Sequence, residues 1–322
     1  MKRKTGEAVL RRGTAAGVPG IRAGRQDKYR KNLSLYLLLV PGLVYYLVFC
    51  YAPMGGILIA FKDYNIFQGI LQSPWAGLAN FKAMLNIPNF WNIVRNTLML
   101  SVLSLIFTFP APIILALMLN EVRLNKYKKV VQSVLYLPHF MSWVVLVGIL
   151  SNLLSPQYGL INKLITMMGG EAIFFLADEK WWVVIYIISE IWKTIGWGSI
   201  IYLAALTAID VSLYEAAIMD GANKWKQIIH ITIPSLMPTV TIMLILRMGT
   251  LVNIGFEHPM AQYNALVSNV AEVVSTYTYT AGIQRGQYTV TTALGLCQSV
   301  INLVLVLSTN ALSKRLGGDG LY

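Results

Sequence analysis

Six stretches of this chain are each apolar for about 20 residues or more: 33–61, 93–119, 130–154, 181–209, 236–256 and 291–312. A helix needs about 20 apolar residues to cross the hydrocarbon of a bilayer. Inside that hydrocarbon every backbone polar group must be bonded within the segment or by a neighbour. The stretches are too many to be core helices of one soluble domain. Only 12% of the residues are charged, against about 25% in a soluble domain. The expected fold is therefore all-α, a six-helix membrane bundle. Pro41, Pro53, Pro110, Pro112 and Pro138 fall inside these stretches, so bent helices are expected, with neighbours re-satisfying the freed backbone groups.

Lys and Arg set the orientation. The tail at 1–32 has ten, the loop after the second stretch four, the loop after the fourth two and the C-terminus two. The opposite loops share five: Lys62, Lys82, Lys163, Lys180 and Arg285. Both termini and the loop at 210–237 are thus expected in the cytoplasm. This makes 1–32 a basic cytoplasmic tail, whose KRK at 2–4 is expected to touch anionic lipid, and 33–322 the membrane domain. The net charge of +12 is mostly a topology signal. No nucleic-acid-binding module surrounds the basic residues, so no nucleic-acid partner is expected. No small-residue cleavage pattern follows the first apolar run, which argues against a secretory leader.

The remaining features are read plainly. Cys50 and Cys297 are expected as small buried hydrophobes. His139, His230 and His258 are far apart with no H-E-x-x-H, so no metal site is expected. The outer segments 62–92 and 155–180 carry Trp75, Phe81, Phe90 and Trp91, and a turn followed by a short amphipathic helix. Membrane anchoring and docking of an external partner both fit them. Trp181 and Trp182 open the fourth stretch as an interfacial belt would.

One segment breaks the pattern: YEAAIMDGANKWKQIIHITIPSLMP, Tyr214–Pro238. Ser212-x-x-Glu215 has the form of a capping box. The Glu215 carboxylate would also favour the helix N-terminus. Asp220-Gly221 is a break, because Gly adopts backbone angles that other residues avoid. A second helix is expected from Ala222 to Ile233, stopped by Pro234, with Trp225 on its apolar face packed under the bundle or in a partner's groove. Such a helix–turn–helix can lie in the membrane interface or present itself to a cytoplasmic partner; amphipathicity alone favours the interface.

Glu215-Ala216-Ala217-Ile218-Met219-Asp220-Gly221-Ala222, followed by Ile231-Thr232-Ile233-Pro234 and Pro238, closely resembles the EAA motif of ABC importer permeases. YLLLVPGLVYYLVFCYAPMGGILIAFKDYN (36–65), YLPHFMSWVV (136–145) and GQYTVTTALGLCQSVINLVLVLSTNALSKRL (286–316) are similar to the carbohydrate-uptake branch. Within it they look most like the complex-oligosaccharide permeases grouped with the LplB type and the alginate and rhamnogalacturonan importers. The resemblance runs from about residue 33 to the end. It implies a type I importer permease with cytoplasmic termini. Glu215, Ala216, Ala217, Asp220, Gly221, Ala222, Trp225 and Pro234 would be the elements that dock on ATPase subunits. It also implies a second permease, two ATPase subunits, an extracytoplasmic binding protein, and location in the plasma (inner) membrane. The chain has no G-x-x-x-x-G-K-[ST] and no G-x-G-x-x-G, so ATP and Mg would be bound by the ATPase partners, and no catalytic role is expected here. A polytopic channel or membrane enzyme would leave the 215–238 pattern unexplained.

Charges within a membrane helix usually face a cavity or a partner. Glu190 and Lys193 are one turn apart and are expected to pair, whereas Arg247 has no carboxylate within a turn. Trp192, Lys193, Trp197, Arg247 and Asn253 are the candidates for lining a substrate path. With the resemblance, they suggest an oligosaccharide that carries uronate carboxylates, a neutral sugar being the alternative.

Overall fold

A computed structural model describes residues 33–315. Among them the secondary structure is helical, apart from one isolated antiparallel bridge between Lys62 and Trp75. The tail at 1–32 lies outside the described residues. The chain divides into two compact units, Met1–Gly55 and Gly56–Tyr322. The described part of the first is α1, Leu33–Tyr45, which continues through a π-helical turn at Tyr46–Tyr51 into Ala52–Met54.

The second unit holds α2 (Phe90–Glu121), α3 (Asn125–Phe140), α4 (Trp143–Leu154), α5 (Leu160–Met167), α6 (Glu179–Thr207), α7 (Val211–Met219), α8 (Lys224–Met248), α9 (Glu257–Gln262) and α10 (Tyr288–Arg315). Among the described residues, five helical runs are long and apolar enough to cross a membrane: Tyr36–Phe61, α2, α6, α8 and α10. The third expected span differs. It is the pair α3 and α4, bent by 106°. The break follows from the local sequence. Pro138 removes a backbone donor, and Ser142 starts a new helix by accepting the Val145 N–H at 3.3 Å.

Three prolines share one device. Proline cannot donate to the carbonyl four residues back, and its ring clashes there. Just before Pro53, Pro110 and Pro234 the helix widens by one residue. The Ala52 N–H bonds the Leu47 carbonyl, Phe109 bonds Ser104 and Ile233 bonds Ile228, each five residues back. The widened turn accommodates the ring, so these helices continue past the proline. This corrects two expectations. Pro234 does not stop the helix after Ala222: α8 runs from Lys224 through a π turn at Ile228–Thr232 into the membrane. The fifth span therefore begins well before residue 236, and it ends at Met248, not at 256.

α6 is the central helix. One cluster packs Trp182, Tyr186 and Ile187 of α6 against Leu100 of α2 and Val267, Ala271 and Val273. A second packs Tyr202, Leu203 and Leu206 against Ala116 and Leu119 of α2 and Leu236 of α8. A third joins Met84, Phe90, Ile93, Val274 and Leu294 of α10. Trp182 is fully buried and donates its indole N–H to the Gln262 carbonyl at 3.0 Å, so it is a core residue and not part of an interfacial belt. Asp178 caps α6 by accepting the Lys180 and Trp181 N–H groups at 3.0 Å each. Cys50 is exposed and Cys297 half-buried, so neither is the core residue expected, and both are free.

The 32 residues of α2 rise about 1.5 Å each, enough to cross a bilayer. Its Phe90 end packs beside the start of α10. At its other end the Glu121 carboxylate meets Lys224 at 3.6 Å. The 210–237 segment and the Tyr288 end of α10 thus lie at opposite ends of the bundle.

Candidate functional site

The 210–237 segment is a rigid turn between two helix ends. Asp210, not Ser212, is the N-cap of α7, accepting the Ser212 N–H at 2.9 Å. The Ser212 amide and hydroxyl hold the Asp210 carboxyl below its usual range. Glu215 stands one turn further on and is exposed, so the carboxylate at the helix N-terminus is that of Asp210. At the other end of α7 the Gly221 N–H bonds the Ile218 carbonyl at 3.0 Å and the Ala222 N–H bonds the Ala217 carbonyl at 2.8 Å. This six-to-one closure needs a left-handed residue, and Gly221 has φ +75°. Asn223 caps α8 through the Lys226 N–H at 2.9 Å. The two arms are tied by a hydrogen bond of 2.9 Å between the Tyr214 and Thr232 hydroxyls. The buried Gln227 amide donates to the Ala222 carbonyl at 3.0 Å.

What this turn presents is apolar. Met219 is 87% and Trp225 73% exposed, and Leu213 and Ile218 of α7 are exposed as well. Glu215, Ala216 and Asp220 are exposed too, Ala217 and Ala222 are half-buried, and Pro234 is exposed at the start of the membrane run. Trp225 therefore does not pack under the bundle as one expectation had it. A fixed loop with an exposed tryptophan and methionine is suited to docking on another protein.

The second feature is a cavity of about 130 Å³ between α2, α4, α6 and the end of α8. Ser101, Ser104, Tyr186, Glu190, Arg247 and Asn253 line it, with Trp143 and His258. Glu190 does not pair with Lys193. It meets Arg247 at 3.5 Å, and Ser104 joins them: Arg247 donates to the Ser104 hydroxyl at 2.7 Å, which donates to Glu190 at 2.9 Å. Lys193 instead donates to the Met141 and His139 carbonyls and lies 5.0 Å over the Trp143 ring. His258 is sandwiched between Trp143 and Tyr186, with ring centroids at 3.5 and 3.9 Å, and bonds Ser189 at 3.0 Å.

Of the sequence-predicted path residues, the structure brings Arg247 and Asn253 to the cavity, and Lys193 beside it through Trp143. Trp192 and Trp197 do not line it; Trp197 stacks on His139 at 4.6 Å. Sequence reasoning missed Ser101, Ser104, Tyr186 and His258. The spacing of Ser101 and Ser104, one turn apart, was the available signal. The buried Ser101 hydroxyl and one Glu190 oxygen have no protein partner, and a cavity of this size has room for ordered water to meet them.

A polytopic helical bundle with half-buried charges at its centre and a stiff docking turn at one end defines a membrane transport subunit. Comparison with known proteins agrees. Residues 22–318 match the family described as binding-protein-dependent transport system inner membrane component, and the chain belongs to it. It is 48% identical to the polygalacturonan/rhamnogalacturonan transport system permease protein YteP of Bacillus subtilis (strain 168), over 92% of this chain and 91% of the relative. It is 45% identical to protein LplB of the same organism, over 95% of each. A crystal structure of a bacterial alginate ABC transporter, in complex with a periplasmic protein holding an alginate pentasaccharide, superimposes with a TM-score of 0.84 at 39% identity, covering 92% of this chain and 99% of that one. The chain is thus a multi-pass inner-membrane permease of a binding-protein-dependent ABC importer.

Proposed function

We propose that this permease moves an acidic oligosaccharide, handed over by an extracytoplasmic binding protein, and that two ATPase subunits drive it through the 210–237 turn. A second, homologous permease completes the path. ATP and Mg belong to the ATPase subunits. Both termini and the turn face the cytoplasm, as the Lys and Arg distribution favours.

The observation that carries the coupling role is the exposed pair Met219 and Trp225 on a turn fixed by Gly221. Apolar side chains held this rigidly are suited to a partner's groove and gain little from water. The sugar is argued from the site and the relatives together. Arg247 supplies a partly exposed cation next to hydroxyl and amide groups in the cavity, which suits a carboxylate among hydroxyls. Among the similar permeases are one for polygalacturonan/rhamnogalacturonan and one for alginate, an acidic polysaccharide. In the working cycle the bundle alternates between outward- and inward-open states, and ATP binding biases that equilibrium.

The test is co-purification. The wild-type chain, expressed with its genomic ATPase and binding-protein partners, should retain the ATPase in detergent and show ATP hydrolysis stimulated by the loaded binding protein. Reporter fusions at Lys226 and near Trp75 should report cytoplasm and outside respectively. An ATPase that binds equally well to a Trp225→Ala, Met219→Ala chain would remove the turn from the docking surface.

A further inference from the structure

The described residues hold a larger polar space than the one inside the membrane. It is a cleft of about 610 Å³ lined by Asp63, Tyr64, Asn65, Gln68, Pro74 and Tyr288. Tyr288 opens α10, so the cleft lies at the end of the bundle opposite the 210–237 turn. On the reading above, that is the face on which substrate arrives.

The cleft wall is built, not floppy. Lys62 donates to the Ile70 and Leu71 carbonyls at 2.7 and 3.0 Å. Asn80 donates to the Ala60 and Lys62 carbonyls at 3.0 and 2.8 Å. The Ser73 hydroxyl accepts the Asn65 N–H at 3.0 Å, and Phe61 stacks on Trp75 at 5.7 Å. Tyr64 and Tyr288 meet edge to face at 6.0 Å, which fixes one side. Every one of these bonds engages the framework. The carboxylate of Asp63 and the side-chain amide of Gln68 are left exposed at the cleft.

Size separates the two spaces. The cavity at Arg247, at about 130 Å³, has room for only a few waters at about 30 Å³ each, so an oligosaccharide cannot be housed there as it stands. The cleft falls within the roughly 300–1,000 Å³ of small-molecule sites. Its chemistry is that of sugar recognition: aromatic rings for the apolar face of a pyranose, and a carboxylate and amides for hydroxyls. A protein partner would need about 800 Å² of contact around buried anchors. The cleft itself is concave and mainly polar, with Ile66 the one exposed large hydrophobic side chain in its lining, so it suits a sugar better than an apolar anchor.

We propose that this cleft is a saccharide subsite. It holds a hydroxyl-rich unit of the incoming chain while another part of that chain enters the bundle. Like charge keeps uronate carboxylates away from Asp63, so the cleft takes the hydroxyl edge of a unit and turns its carboxylate outward. The proposal rests on the reading of this chain as an oligosaccharide permease.

The test uses the assembled importer in proteoliposomes with its binding protein, and oligogalacturonates from disaccharide to pentasaccharide. Gln68→Ala and Tyr288→Ala should raise the half-saturating concentration for the pentasaccharide about tenfold and leave the disaccharide unchanged. Tyr288→Phe keeps the edge-to-face packing and should fall between wild type and Tyr288→Ala. An equal loss at every length, in Gln68→Ala as well as Tyr288→Ala, would show a merely structural role and overturn the subsite. So would weaker docking of the sugar-free binding protein, which would make the cleft a protein contact. A wild-type importer that moves none of the series would overturn the oligosaccharide reading itself, and the cleft with it.

Discussion

Arg247 of α8 reaches Glu190 of α6 at 3.5 Å, and the Ser104 hydroxyl of α2 bridges the two. Three membrane helices are thus tied at one polar node beside the central cavity. An isolated charge at this depth would be costly. The pair is partly open to the cavity, with Arg247 35% and Glu190 17% exposed, so an incoming carboxylate can compete for the guanidinium.

Replacing Arg247 alone by Gln strands the Glu190 carboxylate. The expected loss is on the order of 2 kcal/mol of stability, read as a lower melting temperature in detergent. The double variant Arg247→Gln, Glu190→Gln should recover most of it, since both charges are then gone. Uptake separates structure from recognition. If Arg247 meets uronates, the recovered double variant should import a neutral oligosaccharide near the wild-type rate and an acidic one at least tenfold more slowly. Equal rates on both sugars would confine the node to holding helices together.

Gly221 is the conformational pivot of the docking turn. A Cβ there meets nothing within 4 Å, so a substitution is opposed by backbone strain alone. At φ +75° a β-branched residue is strained by about 1–2 kcal/mol, while Asn tolerates the left-handed region better. Gly221→Val should insert and fold, because it touches no span, but lose most sugar-stimulated ATP hydrolysis. Gly221→Asn should keep a large share of it. Normal transport by the Val variant would sink the coupling assignment.

Much of this was legible in the chain. Apolar runs of about 20 residues set five helices directly, and Gly221 was expected at a turn that does need a left-handed residue. The failures have local causes. Proline at 234 signals a helix stop, but a π turn at Ile228–Thr232 absorbs it, and a π turn has no signature in hydropathy. The capping box at Ser212 was outcompeted by Asp210, two residues upstream, whose carboxylate is the better acceptor. The Glu190–Lys193 pairing fails because adjacency on one helix carries no information about the helices across from it. Arg247 and Ser104 lie 57 and 86 residues away from Glu190 in sequence and beside it in space. The bend in the third span needed both Pro138 and the Ser142 cap, and neither alone marks more than a kink.

Gly196 allows α3 to lie against α6. A Cβ built there would stand 2.1 Å from the Leu135 carbonyl oxygen, a backbone atom that cannot move aside alone. Gly196→Ala should therefore separate the two helices and destabilise the chain by several kcal/mol, about the upper end for a single substitution. Gly148, in α4, is the control: nothing lies within 4 Å of its would-be Cβ. Gly148→Ala should be neutral or slightly stabilising, by up to about 1 kcal/mol, because it raises helix propensity. Similar yields and melting temperatures for the two variants would refute the close α3–α6 crossing.

His258 gives the protein a predictable response to acid. Burial between Trp143 and Tyr186, with the Lys193 ammonium as a second cause, lowers its pKa from 6.5 to about 3. The folded chain thus keeps the imidazole neutral where the unfolded chain would protonate it. Between those two values the unfolded state binds the extra proton, so stability falls as pH falls. The contribution is fully present above about pH 6.5 and is lost progressively towards pH 3. At pH 5 the loss is about 2 kcal/mol, since each pH unit below the unfolded pKa is worth about 1.4 kcal/mol. The measurement is the melting temperature of the detergent-solubilised permease at pH 7.5 and pH 5, for wild type and His258→Gln. Gln can still bond Ser189 but has no proton to gain. The wild type should lose more stability than the variant on acidification, by roughly that amount. Identical pH dependence in the two would mean that His258 is hydrated or protonated in the folded chain, and that the ring sandwich does not exclude charge.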